Sequence, residues 1–272
     1  MAKFRTIEIS DSRFESNNLR FLTAKTPNLR GRGDICVFVP PSLRKDQVIP
    51  VVILLHGVYG SAWSWSQGTG VHLQALEMIR LKQIPPMVIA MPSDGLWGDG
   101  SAYIPHNGYN FEKWIADDII EVLGEMIDGV SPGSPLFIAG LSMGGFGALR
   151  IGAKYGHKFQ GISGHSSITN LGQMKMFVEE ELDQFSQQDK SEEDVFETMM
   201  KYRNTLPSLR FDCGTGDSLL EDNRKLHQRL TENGIKHIYK ENPGAHEWPY
   251  WEKHISDSLM FFANILIDRE NI

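Results

Sequence analysis

The sequence predicts an α/β protein: a mostly parallel central sheet with helices on both faces and a small helical insertion. Three observations predict it. Short apolar runs rich in β-branched residues recur along the chain, each followed by a loop and a helix-like stretch. One of them, Val51–Leu55, is continuously apolar, as a strand buried on both faces should be. No internal repeat and no Ser/Gly-rich or Pro-rich linker divides the 272 residues, so they are read as a single domain, 1–272.

Taken in order, residues 35–39 make an early strand that Pro40 and Pro41 stop. Val51–Leu55 follows, and 87–91 is a third strand ended by Pro92. Residues 111–127 are predicted as a helix, with Phe111, Trp114, Ile115, Ile119, Val122, Leu123 and Met126 forming a core-facing stripe. Asn110 is placed to cap its start and Gly129 to end it. Residues 136–139 form a strand, 145–155 a helix, and 161–164 a strand-like stretch. Weaker strands are predicted at 209–213 and 237–241, with helices at 223–230 and 250–267. One segment breaks the rhythm. Between 171 and 206 no strand is evident, only two helical patterns, the first carrying Met174, Phe177, Leu182 and Phe185 and the second opening at Ser191. We expect this insertion to cover the functional edge of the sheet as a cap, the alternative being an ordinary crossover helix pair.

Composition narrows the function classes. A net charge of -7 with no basic block disfavours nucleic acid and anionic membrane surfaces as partners. The two cysteines, Cys36 and Cys213, stand far apart, with no C-x-x-C spacing for zinc or redox work. No apolar run is long enough to span a membrane, and the segment MAKFRTIEIS lacks the apolar core of a secretory signal, so a cytoplasmic location is expected.

The strongest chemical signal is GLSMGG at 140–145, which contains G-x-S-x-G centred on Ser142. By composition alone this pattern arises in roughly one chain in ten of this length, so its placement between a strand and a helix carries the weight. A serine hydroxyl becomes a useful nucleophile only when a tight turn exposes it beside a base. Gly140 and Gly144 remove side chains where the backbone passes close to itself, and the following helix aims free amides at developing negative charge.

The base and acid should follow in the order serine, acid, histidine. His72, His157, His227, His237 and His254 lie in helix-like or charged stretches and read as surface residues. His246, in the loop PGAHEW between the last strand and the last helix, reads as the base. Asp217 leaves the strand ending in FDCG through a glycine-containing turn, at the edge where Ser142 and His246 belong, and reads as the acid in preference to Asp212, Glu221 or Asp222. The oxyanion hole should combine the amide of Met143 with one from the loop LLHGVYGS, where Val58 is the choice and Tyr59 the next. His56, at a strand end before glycine, is expected to order that loop. Trp63, Trp65, Trp97, Tyr103 and Trp248 could equally line a pocket or fill the core.

LLHG, GLSMGG, CGTGD and GAHEW, in this order and spacing, resemble the esterase D-like family of esterases. That family includes S-formylglutathione hydrolases, feruloyl and acetyl-xylan esterases and mycolyltransferases. The similarity runs over about 35–267, nearly the whole chain. It implies the α/β-hydrolase fold, Ser142 as nucleophile, Asp217 as acid, His246 as base, and Val58 and Met143 as oxyanion donors. GLSMGG is nearer the feruloyl and acetyl esterase branch, because S-formylglutathione hydrolases usually carry His before the serine.

The expected function is a serine carboxylic ester hydrolase acting through an acyl-enzyme on small acyl or carbohydrate esters, with no cofactor and no metal. An acyltransferase on the same triad, and a catalytically silent binding protein of the same fold, are the rivals. A small-molecule ester is the expected partner, without nucleic acid or membrane, and a homo-oligomer is left open.

Overall fold

The computed structural model describes residues 4–41 and 48–270. Nine strands form one sheet: β1 (Ile7–Ile9), β2 (Leu19–Thr26), β3 (Gly31–Phe38), β4 (Val51–Leu55), β5 (Val88–Pro92), β6 (Leu136–Leu141), β7 (Phe159–His165), β8 (Ser208–Gly214) and β9 (Ile238–Asn242). Their spatial order is β1-β2-β3-β5-β4-β6-β7-β8-β9. The pairs from β5 through β9 are parallel, whereas β1, β2 and β3 join antiparallel at the other edge. The chain moves from β4 to β5 on one side and then returns to β6 on the other. That reversal flanks β4 and opens a crevice beyond the carboxyl ends of β4 and β6.

Helices cover both faces, and β4 shows how they divide the core. Val51, Ile53 and Leu55 face one apolar cluster, while Val52 and Leu54 face the other. On the second face lie α1 (Ser64–Thr69), α2 (Val71–Arg80) and much of the last helix. The first face carries α3 (Ile119–Met126), α4 (Met143–Lys154), α5 (Val195–Lys201) and α6 (Leu220–Glu232), and the chain ends in α7 (Trp248–Glu270). Cys36 in β3 and Cys213 in β8 are free and buried. Among the described residues no helix is long and apolar enough to cross a membrane.

The predicted strands are present within a few residues of their expected ends, but three features differ from expectation. The helix expected over 111–127 is broken by a π-turn at Trp114–Asp118, where the Trp114 indole donates to Ser93 O at 2.8 Å and Asn28 donates to buried Asp118 at 2.9 Å. Asn110 caps its start, accepting from the Lys113 amide, but the helix stops at Met126, before Gly129. The insertion at 171–206 folds mainly as short 3-10 turns, with α5 as its α-helix. Lastly, His72 and His254 are buried, not on the surface: each lies on the inward stripe of its helix, His72 beside Val71 and Ala75 and His254 beside Ile255.

Candidate active site

Ser142 ends the turn from β6 into α4 with φ 53° and ψ -119°, a conformation that serine holds only when its surroundings impose it. The flanking glycines explain how the turn closes. A Cβ on Gly140 would stand 2.1 Å from Gly144 O, and one on Gly144 would stand 2.3 Å from Leu55 O. The Ser142 amide donates to His165 O at 3.0 Å, which fixes the turn to the end of β7.

Two segments complete the cluster. The turn after β8 carries Asp217, and the loop between β9 and α7 carries His246. They are stitched together by Thr215 N donating to Asn242 O and Gly216 N to Gly244 O, both at 2.8 Å. The Ser142 hydroxyl lies 3.0 Å from His246 Nε2, and His246 Nδ1 lies 2.9 Å from Asp217 Oδ2. Asp217 also accepts the Leu219 amide at 2.8 Å. Burial alone would raise its carboxyl, but the hydrogen bond and charge of His246, with the Leu219 amide, hold it below the usual carboxylate range. Glu221 and Asp222 instead pair with Arg224 and Lys225 on α6.

The oxyanion amides expected from the sequence are those of Val58 and Met143. Met143 is the first residue of α4, so its N–H has no acceptor inside the helix. Across the cleft, Val58 lines the same hollow, while the Tyr59 amide is engaged with Asp99 O at 2.8 Å. His56 orders this loop: its Nδ1 donates to Gly57 O at 2.7 Å and its Nε2 accepts from the Asp94 amide at 3.1 Å. Both ring nitrogens are occupied, so His56 cannot serve as the base.

The cleft over Ser142 has a volume of about 540 Å³ and is walled by Val58, Tyr59, Phe177, His246, Trp248 and Trp251. The Phe177 ring stacks on His246 with centroids 5.4 Å apart, and Trp251 meets the same imidazole edge-on at 5.0 Å. Phe177 comes from the insertion. It is held there by the Tyr59 hydroxyl, which donates to Phe177 O, and by the Glu179 amide, which donates to Asp99 at 2.8 Å. Met174 is buried in the core instead, and α5 packs between α4 and α6.

Of the aromatic candidates, Trp248 lines the cleft. Trp65 is buried and donates to Leu55 O, Tyr103 is buried and donates to His56 O, and Trp97 packs on His106 and Phe185. The reading of the sequence missed His165, Trp251 and Asp94. His165 carried one signal, its place directly after the strand-like 161–164 stretch. Among the described residues no group of three His, Cys, Asp or Glu is arranged to hold a metal ion.

Comparison with known proteins finds similar chains among esterases and serine hydrolases. A family described as "Putative esterase" matches residues 27–262. The chain is 25% identical over 235 residues to an acetyl esterase of Caldicellulosiruptor saccharolyticus, covering 80% of this chain and 84% of that protein. A fluorophosphonate-binding serine hydrolase of Staphylococcus aureus superposes with a TM-score of 0.76 at 21% identity, covering 89% of this chain and 97% of its own. A ferulic acid esterase superposes with a TM-score of 0.79 at 20% identity, covering 95% and 98%.

Proposed function

The chain belongs to the family described as putative esterase and is a carboxylic ester hydrolase of the α/β-hydrolase fold, and on that premise we propose that it works through an acyl-enzyme on Ser142. In this reading His246 Nε2 takes the hydroxyl proton as Ser142 attacks the ester carbonyl, and returns it to the departing alkoxide. Asp217, held as a carboxylate, fixes the ring tautomer and steadies the imidazolium. The amides of Val58 and Met143 hold the tetrahedral oxyanion. Water deprotonated by the same nitrogen then attacks the acyl-enzyme and releases the acid. The observation that carries the reading is the unbroken line Ser142–His246–Asp217, with both contacts at 3.0 Å or less.

A small-molecule ester with a short acyl group or a carbohydrate alcohol suits a cleft of about 540 Å³ walled by aromatic rings. The acetyl esterase relative supports the short acyl side of this reading. We place the reaction in the cytoplasm, with water and not a second alcohol as the acyl acceptor.

The deciding experiment is Ser142→Ala. Turnover of a short nitrophenyl ester should fall by about 10⁴ or more while the melting temperature stays nearly unchanged. Covalent capture by a fluorophosphonate probe should vanish with it. Activity within about tenfold of the parent chain would overturn the assignment.

A further inference from the structure

A second cluster of polar side chains, entirely inside the protein, lies between β7, β8 and α7. Its centre is Asp212. Tyr250 donates to its Oδ1 at 2.7 Å, Arg210 Nη1 donates to its Oδ2 at 2.6 Å, and His165 Nδ1 stands 3.0 Å from Oδ2. His165 Nε2 meets Ser258 Oγ at 2.8 Å, and Ser258 meets Ser163 at 2.7 Å. Burial would raise the Asp212 carboxyl, but His165, Arg210 and Tyr250 hold it down at about 2. Charges are costly to bury, and apolar side chains of similar shape often serve stability as well. A core of this kind calls for some reason other than stability.

Its geometry supplies one. Each side-chain partner of Asp212 stands on a segment that either leads into a residue of the catalytic line or hydrogen-bonds to one. His165 accepts the Ser142 amide through its carbonyl. Asp212 lies on β8, five residues before Asp217. Tyr250 opens α7, four residues after His246, and its ring packs on the loop that carries that histidine. A Cβ on Gly244, whose φ is 139°, would stand 2.6 Å from the Tyr250 ring. The same loop makes the Gly216 N to Gly244 O bond to the Asp217 turn.

We propose that Tyr250 is a positioning residue: its hydroxyl, anchored on Asp212, presses the 242–247 loop against the 214–217 turn so that His246 Nδ1 meets Asp217. The proposal rests on the assignment of Ser142, His246 and Asp217 made above. Removing the hydroxyl loosens that bond, and the Asp217 carboxylate then favours the imidazolium less. The base loses affinity for its proton, so the acid limb of the kcat/KM profile moves to lower pH. The groups facing His246 are Asp217 from the β8 turn, Ser142 from the elbow, the Phe177 face from the insertion and the Trp251 edge from α7. Those facing Tyr250 are Asp212, Asn242 and His254, and the buried Cys213 thiol lies on β8 between Asp212 and the Asp217 turn.

Tyr250→Phe is compared with Tyr155→Phe, which removes a similar hydroxyl-to-carboxylate bond, 2.8 Å to Glu112, away from the site. For Tyr250→Phe we expect kcat on a nitrophenyl ester to fall about tenfold with KM within about twofold, as misplacement of a reacting group does. The acid limb should move down by about half a pH unit or more, and fluorophosphonate capture should slow in parallel. Tyr155→Phe should lower the melting temperature and leave the profile in place. If Tyr250→Phe does not fold, Gly244→Ala displaces the same loop with the hydroxyl intact and should shift the limb in the same direction. A Tyr250→Phe chain that loses only thermal stability, with the parent's kcat and pH profile, overturns the proposal. The triad assignment fails separately, if Ser142→Ala stays active, whatever Tyr250→Phe does.

Discussion

Ser142 and its two glycines were legible because the constraint on them is local. An elbow this tight admits no Cβ at 140 or 144, and the sequence displays that need at fixed spacing. Asp217 was legible for a similar reason, since it leaves a strand end through a turn while Glu221 and Asp222 sit on a helix. Glu112 was not legible at all. On a helical pattern it reads as a surface acid, yet it is buried and bonded to Arg150 and Lys154, residues far along the chain. Burial alone would raise its carboxyl, but those two cations outweigh burial and hold it at about 2, below its ordinary 4.5. A depressed carboxyl contributes stability that is fully present above the ordinary value and is lost as pH falls through the folded one. We therefore expect Glu112 to contribute on the order of 3 kcal/mol at neutral pH, a contribution that disappears between about pH 4.5 and 2. Glu112→Gln should show a lower melting temperature at pH 7 and a flatter dependence over that window. Parallel acid-unfolding curves for the two chains would refute it.

At the scale of elements, buried parallel strands announce themselves as continuous apolar runs, and β4, β5 and β6 were found on that signal. β2 escaped it because one of its faces is wet: its buried positions alternate with Arg20, Phe21, Thr23 and Lys25, and Phe21 is half exposed. The insertion could not be read from periodicity, because 3-10 turns do not keep a helical stripe. Two of its side chains part company, Phe177 turning to the cleft and Met174 to the core. Phe177→Ala should therefore raise kcat/KM for a longer acyl ester relative to acetate by about tenfold, measured on a nitrophenyl ester series. Met174→Ala should leave that ratio alone and cost about 2–4 kcal/mol of stability in chemical denaturation. An acyl-length profile unmoved by Phe177→Ala would mean the insertion does not gauge the acyl group.

For the whole molecule, the alternation of strands and helices predicts a parallel sheet, but strand order lies outside what such a pattern encodes. The reversal around β4, which opens the crevice, emerges only when β5 and β6 are seen on opposite sides of it. The antiparallel edge built by β1, β2 and β3 is likewise set by pairing between segments whose sequences do not name each other. The two cysteines turn this architecture into something that can be timed. Cys36 is enclosed between β2 and β5, whereas Cys213 is paired with β9, an outermost strand whose Ile238 is substantially exposed. Burial raises both thiols, and at Cys213 the nearby Asp217 charge adds to it, so neither reacts in the closed protein. Each can be modified only during an opening of its own strand. In native buffer a disulfide-exchange reagent should therefore mark Cys213 first, at the frequency with which β9 detaches, and Cys36 only at the rate of global unfolding. Equal rates at the two positions would mean that the catalytic end of the sheet never opens by itself.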